Sequence, residues 1–123
     1  MTKIVSREDV IAMLIKWQQR DVDAKHIHTW AENIYMVDGY SYDDWEDGES
    51  NSVTNEALAA LDMLNMNLMT EEDIPAYIEF LKSPAGCFKE AYIQLQKHLD
   101  SIDYNGRKKE LAEIEVYAPF CSK

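Results

Sequence analysis

SPAGCFKEAYIQLQKHLDSI, residues 83–102, decides the fold. Phe88, Ala91, Tyr92, Leu95, Leu99 and Ile102 recur at intervals of three and four. Because 3.6 residues complete a helical turn, that spacing gathers an apolar stripe on one face of an α-helix. A strand needs alternation, which is nearly absent from the chain. Ser83-Pro84 reads as the helix start, with Ser as cap and Pro at the first position, where no N–H is needed. Asn105-Gly106 reads as a break beyond its end.

The same period runs outward in both directions. Ser6 and Asp9 have capping-box spacing, and Val10, Leu14 and Trp17 follow on one face with Ile11 beside them. Asp23 suits the cap of a second helix, in which Ile27, Trp30, Ala31 and Ile34 form the inward stripe. The short Arg20–Asp23 link implies that these two helices pack as an antiparallel hairpin. Asn51 or Ser52 caps a third helix with Val53, Ala57, Leu58, Leu61 and Leu64 inward. Thr70 and Asp73 repeat the cap signal, and Pro75 fits only a first turn. A short helix over 107–113 follows the break. From about residue 114, EIEVYAPF either extends that helix or packs as an irregular tail. The expected fold is all-α, a single-domain bundle of five to six helices over residues 1–123, with an acidic loop between the second and third.

The 123 residues suffice for a real core, and 46% apolar with 28% charged is ordinary for a globular chain. The net charge of −11 argues against nucleic acid or an anionic membrane as partner. The N-terminus lacks the pattern of a secretory signal, and no apolar run approaches the length of a spanning helix. Cys87 and Cys121 are too few for a disulfide scaffold and read as reduced thiols, Cys87 as a small buried hydrophobe. A cytoplasmic location is expected.

The charge is concentrated. Thirteen acids and no Lys or Arg lie between residues 26 and 81, while the rest of the chain holds ten acids and twelve bases. The densest part is DGYSYDDWEDGES, residues 38–50. Acids at helix starts, such as Glu71, Glu72 and Asp73, complement the macrodipole, which accounts for them well. The 38–50 stretch has no helix to complement, and it combines its charge with aromatics. Tyr40, Tyr42, Asp43, Asp44, Trp45, Glu46, Asp47 and Glu49 are therefore the expected partner-binding residues, with Glu71, Glu72 and Asp73 as a secondary set. Tyr and Trp dominate interface hot spots, and a concentrated field speeds encounter with a basic partner. The aromatics either face that partner or fold back onto the helices.

Chemical readings fail on spacing. An EF-hand register that sets Gly48 at position 6 puts Trp45 at position 3 and Thr54 at position 12, neither of them a suitable ligand. His26, His28 and Glu32 do not make a zinc motif, and His28 pairs simply with Glu32 one turn on. His98, beside Lys97, is expected to face solvent. Nucleophile motifs and Gly-rich phosphate loops are absent, so no catalytic residue, metal or cofactor is assigned.

Two segments, SREDVIAMLIKWQQRDVDAKHIHTWAENIY and LDMLNMNLMTEEDIPAYIEFL, carry a resemblance. The layout of Lys16, Trp17, Ala24, His28, Trp30, Ala31 and Glu32, and the run Leu61 to Pro75, resemble small acidic bacterial immunity proteins. Those proteins serve contact-dependent growth inhibition and related polymorphic toxin systems. The resemblance spans most of residues 6–81 and does not reach the C-terminal third. It implies a helical cytoplasmic protein that is not an enzyme and that binds and neutralises one basic toxin domain, often a nuclease. It assigns no contact residue, because such proteins differ most where they touch their toxins. The alternative is an acidic helical adaptor or scaffold for another basic protein.

Overall fold

Local hydrogen bonds start the helices largely where the sequence indicates. The computed structural model describes residues 3–46 and 51–121. Ser6 Oγ accepts the Asp9 N–H at 3.2 Å and Asp9 Oδ2 accepts the Ser6 N–H at 3.0 Å, which opens α1 (Arg7–Gln18). Asp23 accepts the His26 N–H at 2.9 Å and opens α2 (Ala24–Glu32). Ser52, rather than Asn51, caps α3 (Val53–Asp62) through the Asn55 N–H. Thr70 and Asp73 close a capping box on a 3-10 turn (Glu71–Asp73), and α4 (Ile74–Leu81) continues from it with Pro75 in the first turn. Two helices remain, α5 (Phe88–Asp100) and α6 (Tyr104–Leu111), and a second 3-10 turn covers Ala118–Phe120.

The described residues are mostly helical, at 57%, but the fold is not strictly all-α. Lys3–Val5 (β1) pairs in parallel with Tyr40–Tyr42 (β2), and Trp45–Glu46 (β3) pairs antiparallel with Asn51–Ser52 (β4). The described part of the expected acidic loop, residues 38–46, thus holds two short strands tied to their neighbours, and residues 47–50 lie outside the described residues. Aromatic side chains favour a pleated, half-buried surface, and Tyr40 and Tyr42 have the alternation that β2 needs.

Two further expectations are corrected, and a third is refined. Ser83 does not cap α5: its hydroxyl donates back to the Phe80 carbonyl at 2.7 Å, Gly86 turns at φ +87°, and Cys87 sits at the cap position. Asn105-Gly106 lies inside the first turn of α6 instead of breaking the chain. Asp103 accepts the Gly106 N–H at 3.0 Å, where an added Cβ would stand 2.5 Å from that carboxylate. α1 and α2 touch, but their mutual contact is not the main one: α1 packs chiefly on α4 and α2 on α3.

The core joins Val10, Leu14 and Trp17 of α1 to Ile27 and Ala31 of α2, then to Leu58 and Leu61 of α3 and Ile74, Phe80 and Leu81 of α4. Fully burying such a side chain contributes about 1.5–3 kcal/mol, so these four helices carry the fold. Trp30 only half-enters this core. The stripe of α5 buries Leu95 alone, and that helix lies at the periphery. The tail is irregular beyond α6, and it inserts Tyr117, whose hydroxyl donates to the Met69 carbonyl. Among the described residues, no helix is long and apolar enough to cross a membrane.

Candidate functional site

From Asp43 to Glu46 the chain alternates between outside and inside. Asp43 and Trp45 are exposed, while Asp44 and Glu46 turn inward. Period two is what extended backbone imposes, and here it sorts four adjacent residues into two roles.

The inward acids meet Arg7 at the start of α1. Arg7 Nε donates to Asp44 Oδ2 at 2.8 Å, and its Nη1 donates to the carbonyls of Ser83 and, at 3.4 Å, Leu81. Asp44 also accepts from Ser52 Oγ, from the Thr54 N–H at 3.0 Å and from Thr54 Oγ1 at 3.0 Å. The carboxylate therefore sits on the N-terminus of α3, where unpaired N–H groups and the helix dipole favour negative charge. Burial pushes its pKa up, but the bonds from Ser52, Arg7 and Thr54 outweigh burial and hold it below the ordinary aspartate range. Glu46 Oε1 accepts the Phe88 N–H at 3.4 Å, and its Oε2 lies 3.8 Å from Arg7 Nη2. One arginine thus ties the acidic segment to α1 and to the end of α4, while Glu46 ties it to the start of α5.

The outward residues remain available. Trp45 is 39% exposed, and its ring lies 5.9 Å from that of Tyr42, tilted by 59°. Tyr42 is half-buried, and burial together with nearby Tyr35 raises its pKa, so the phenol stays neutral. Tyr40 packs partly against the core. Asp43 and Asp38 are exposed, and neither forms an ion pair among the described residues. Asp47 and Glu49 lie outside the described residues. Asp44 and Glu46, expected as contact residues, are engaged inside the molecule.

The secondary set divides too. Asp73 is 1% exposed and bonds Arg107 twice, at 2.7 and 2.8 Å, and His98 Nε2 at 2.8 Å. His98 is thus half-buried at an ion pair and does not simply face solvent. Glu71 lies 3.5 Å from Arg20, and Glu72 is well exposed, 3.7 Å from Arg107. The pairing of His28 with Glu32 is present at 3.4 Å.

No family model, curated protein or solved structure matches this chain. Function must then be read from the site itself. Among the described residues no group of three or more His, Cys, Asp or Glu side chains could hold a metal ion. The arrangement is a clamped strand edge that presents a ring pair beside uncompensated carboxylates. Its available chemistry is recognition of a cationic, partly apolar surface. Arg7 is the residue that sequence reading missed. As a lone basic residue 37 positions from its partner, it gives no local signal.

Proposed function

We propose that this protein is an immunity protein, which binds a cognate basic toxin domain of nuclease type and occludes its active site. A nuclease holds phosphates with Lys and Arg, so its cleft attracts an acidic inhibitor. The acids from residue 38 onward steer the encounter, and a concentrated field of this kind raises association rates by about one to three orders of magnitude. Trp45, supported by Tyr42, then anchors the complex by filling a pocket in the partner. The toxin is blocked sterically, with no chemistry performed on it.

One observation carries this reading. The half-exposed Trp45–Tyr42 pair stands on two short strands, β2 and β3, either side of Asp44, which Arg7 fixes in place, so it is preorganised for contact at little entropic cost. The resemblance of residues 6–81 to immunity proteins supports the same function. The test is to mix the purified protein with whatever toxin domain its neighbouring reading frames encode and to measure nuclease activity. Stoichiometric loss of activity, relieved by Trp45→Ala, is expected. Full nuclease activity in the presence of excess protein would refute the assignment.

A further inference from the structure

A groove of about 600 Å³ runs between α4 and α5, well apart in sequence from the strand edge. One wall carries Glu72, Ala76 and Glu79, and the other carries Ala91, Leu95 and His98. On each wall the positions follow at three, four and seven residues. The groove is therefore bounded by two helical ridges, the shape that receives a third helix. Its lining is largely apolar, with Pro75, Phe80 and Leu95 contributing. The amphipathic stripe of α5 also points to a missing cover: it spans Phe88 to Ile102 yet fully buries only Leu95, and Ala91, one turn before it on the same groove wall, stays partly exposed.

Charge selects the occupant. Glu72 and Glu79 stand on the α4 side, seven residues apart, which is about 10 Å along a helix. Glu79 has no ion-pair partner among the described residues, and Glu72 is only loosely paired with Arg107. The opposite wall offers Gln94 and His98, and His98 is engaged by Asp73. Lys82 closes the far end of the groove. We propose that this groove docks an amphipathic α-helix from a protein partner. That helix presents an apolar stripe to the floor, carries two Lys or Arg residues a heptad apart toward Glu72 and Glu79, and has no cation at the end beside Lys82. The proposal rests on the groove alone and does not depend on the strand edge as a toxin site.

The test is an NMR titration of the 15N-labelled full chain with a synthetic helix-forming peptide. The peptide has Leu at i, i+3, i+7 and i+10 and two Lys seven residues apart on the flank, and an otherwise identical control has Glu for Lys. Saturable binding is expected, with shifts confined to the α4 and α5 ridges. Glu72→Gln with Glu79→Gln should weaken it by about threefold to tenfold, the loss of two exposed ion pairs. Gln94→Trp, at an exposed position on the rim, should block it, while Trp45→Ala leaves it unchanged. A cooperative melt for each variant establishes that it is folded. Equal binding of the Glu control, shifts centred on residues 38–46, or indifference to the Glu72/Glu79 pair would each overturn the proposal. So would sedimentation showing that a second copy of the chain fills the groove.

Discussion

Arg107 and Asp73 face each other through two parallel hydrogen bonds, 2.7 and 2.8 Å long, with side chains only 8% and 1% exposed. Arg107 also donates to the Leu68 carbonyl at 3.0 Å, and Asp73 accepts the Thr70 N–H at 3.0 Å. The pair thus fastens α6 to the turn that begins α4. Removing one member of such a pair strands the other charge in a poorly solvated site, which costs about 3–5 kcal/mol. Asp73→Asn is therefore expected to lower the urea midpoint sharply. Asp73→Asn combined with Arg107→Met should lose clearly less than the sum of the two single variants. Additive losses in that cycle would mean that the two side chains act independently.

Acid should undo this pair and the Asp44 cluster alike. Burial opposes ionisation of Asp73, but bonds from Arg107, His98 and the Thr70 backbone overcome it and hold the pKa below the ordinary value; Asp44 behaves alike. A depressed carboxylate contributes stability that is complete above its unfolded pKa and is lost as pH falls through the folded one. Stability should therefore begin to fall once the pH drops below about 4, the ordinary aspartate value. Asp44→Asn and Asp73→Asn should each flatten that fall. Glu56 has the opposite sign: it is half-buried on α3, and burial alone raises its pKa. Its ionisation opposes folding at neutral pH, so Glu56→Gln is expected to raise the melting temperature at pH 7 and to have little effect at pH 4. Identical pH profiles for wild type and all three variants would refute this account.

Most helix starts and the identity of the core were legible because they rest on local chemistry, whereas the tail beyond residue 114 was open between helix and irregular chain. Ser6, Asp23 and Thr70 need only their own next turn to cap a helix, and Leu14 or Leu61 needs only its period. The strands were not legible, because a three-residue segment such as Lys3–Val5 becomes a strand only when Tyr40–Tyr42 arrives beside it. His98 failed for the same reason: its surroundings are supplied by Asp73, 25 residues away. In the candidate site, the aromatics and exposed Asp43 could be singled out from composition. The division of labour between Asp43 and Asp44 could not. It depends on Arg7, which only the folded chain brings near.

Arg20 marks a place where the backbone favours another residue. Its φ is +64°, in the left-handed region, and it follows the C-cap of α1. The Arg20 N–H bonds the Trp17 carbonyl and the Asp21 N–H bonds the Lys16 carbonyl, both at 2.9 Å, which is the Schellman arrangement that glycine usually completes. The Arg20 side chain is 81% exposed, and its contact with Glu71 at 3.5 Å is a surface pair of small worth. Relief of the left-handed strain outweighs the greater freedom that glycine gives the unfolded chain. Arg20→Gly is therefore expected to stabilise the protein by about 0.5–1 kcal/mol, measured by urea unfolding. A destabilised variant would show that the Glu71 pair matters more than the turn.

The two adjacent roles in the acidic strand predict opposite phenotypes for neighbouring substitutions. Asp44→Asn removes the charge that Arg7, Ser52 and Thr54 all serve, so it should cost about 1–3 kcal/mol of stability, as for a buried hydrogen-bonded group left badly paired. Trp45→Ala with Asp43→Asn touches only outward side chains, so unfolding should change by less than about 1 kcal/mol. Binding should reverse the order. Truncating a hot-spot Trp typically costs 2 kcal/mol or more, which is about thirtyfold in Kd. Loss of Asp43 should also lower the salt dependence of association, because an exposed charge acts mainly through long-range steering. Calorimetric titration against the proposed toxin partner at two salt concentrations, beside urea unfolding of each variant, reads both effects. If Trp45→Ala destabilises the fold as much as Asp44→Asn does, Trp45 is a packing residue and the strand edge is not the interface.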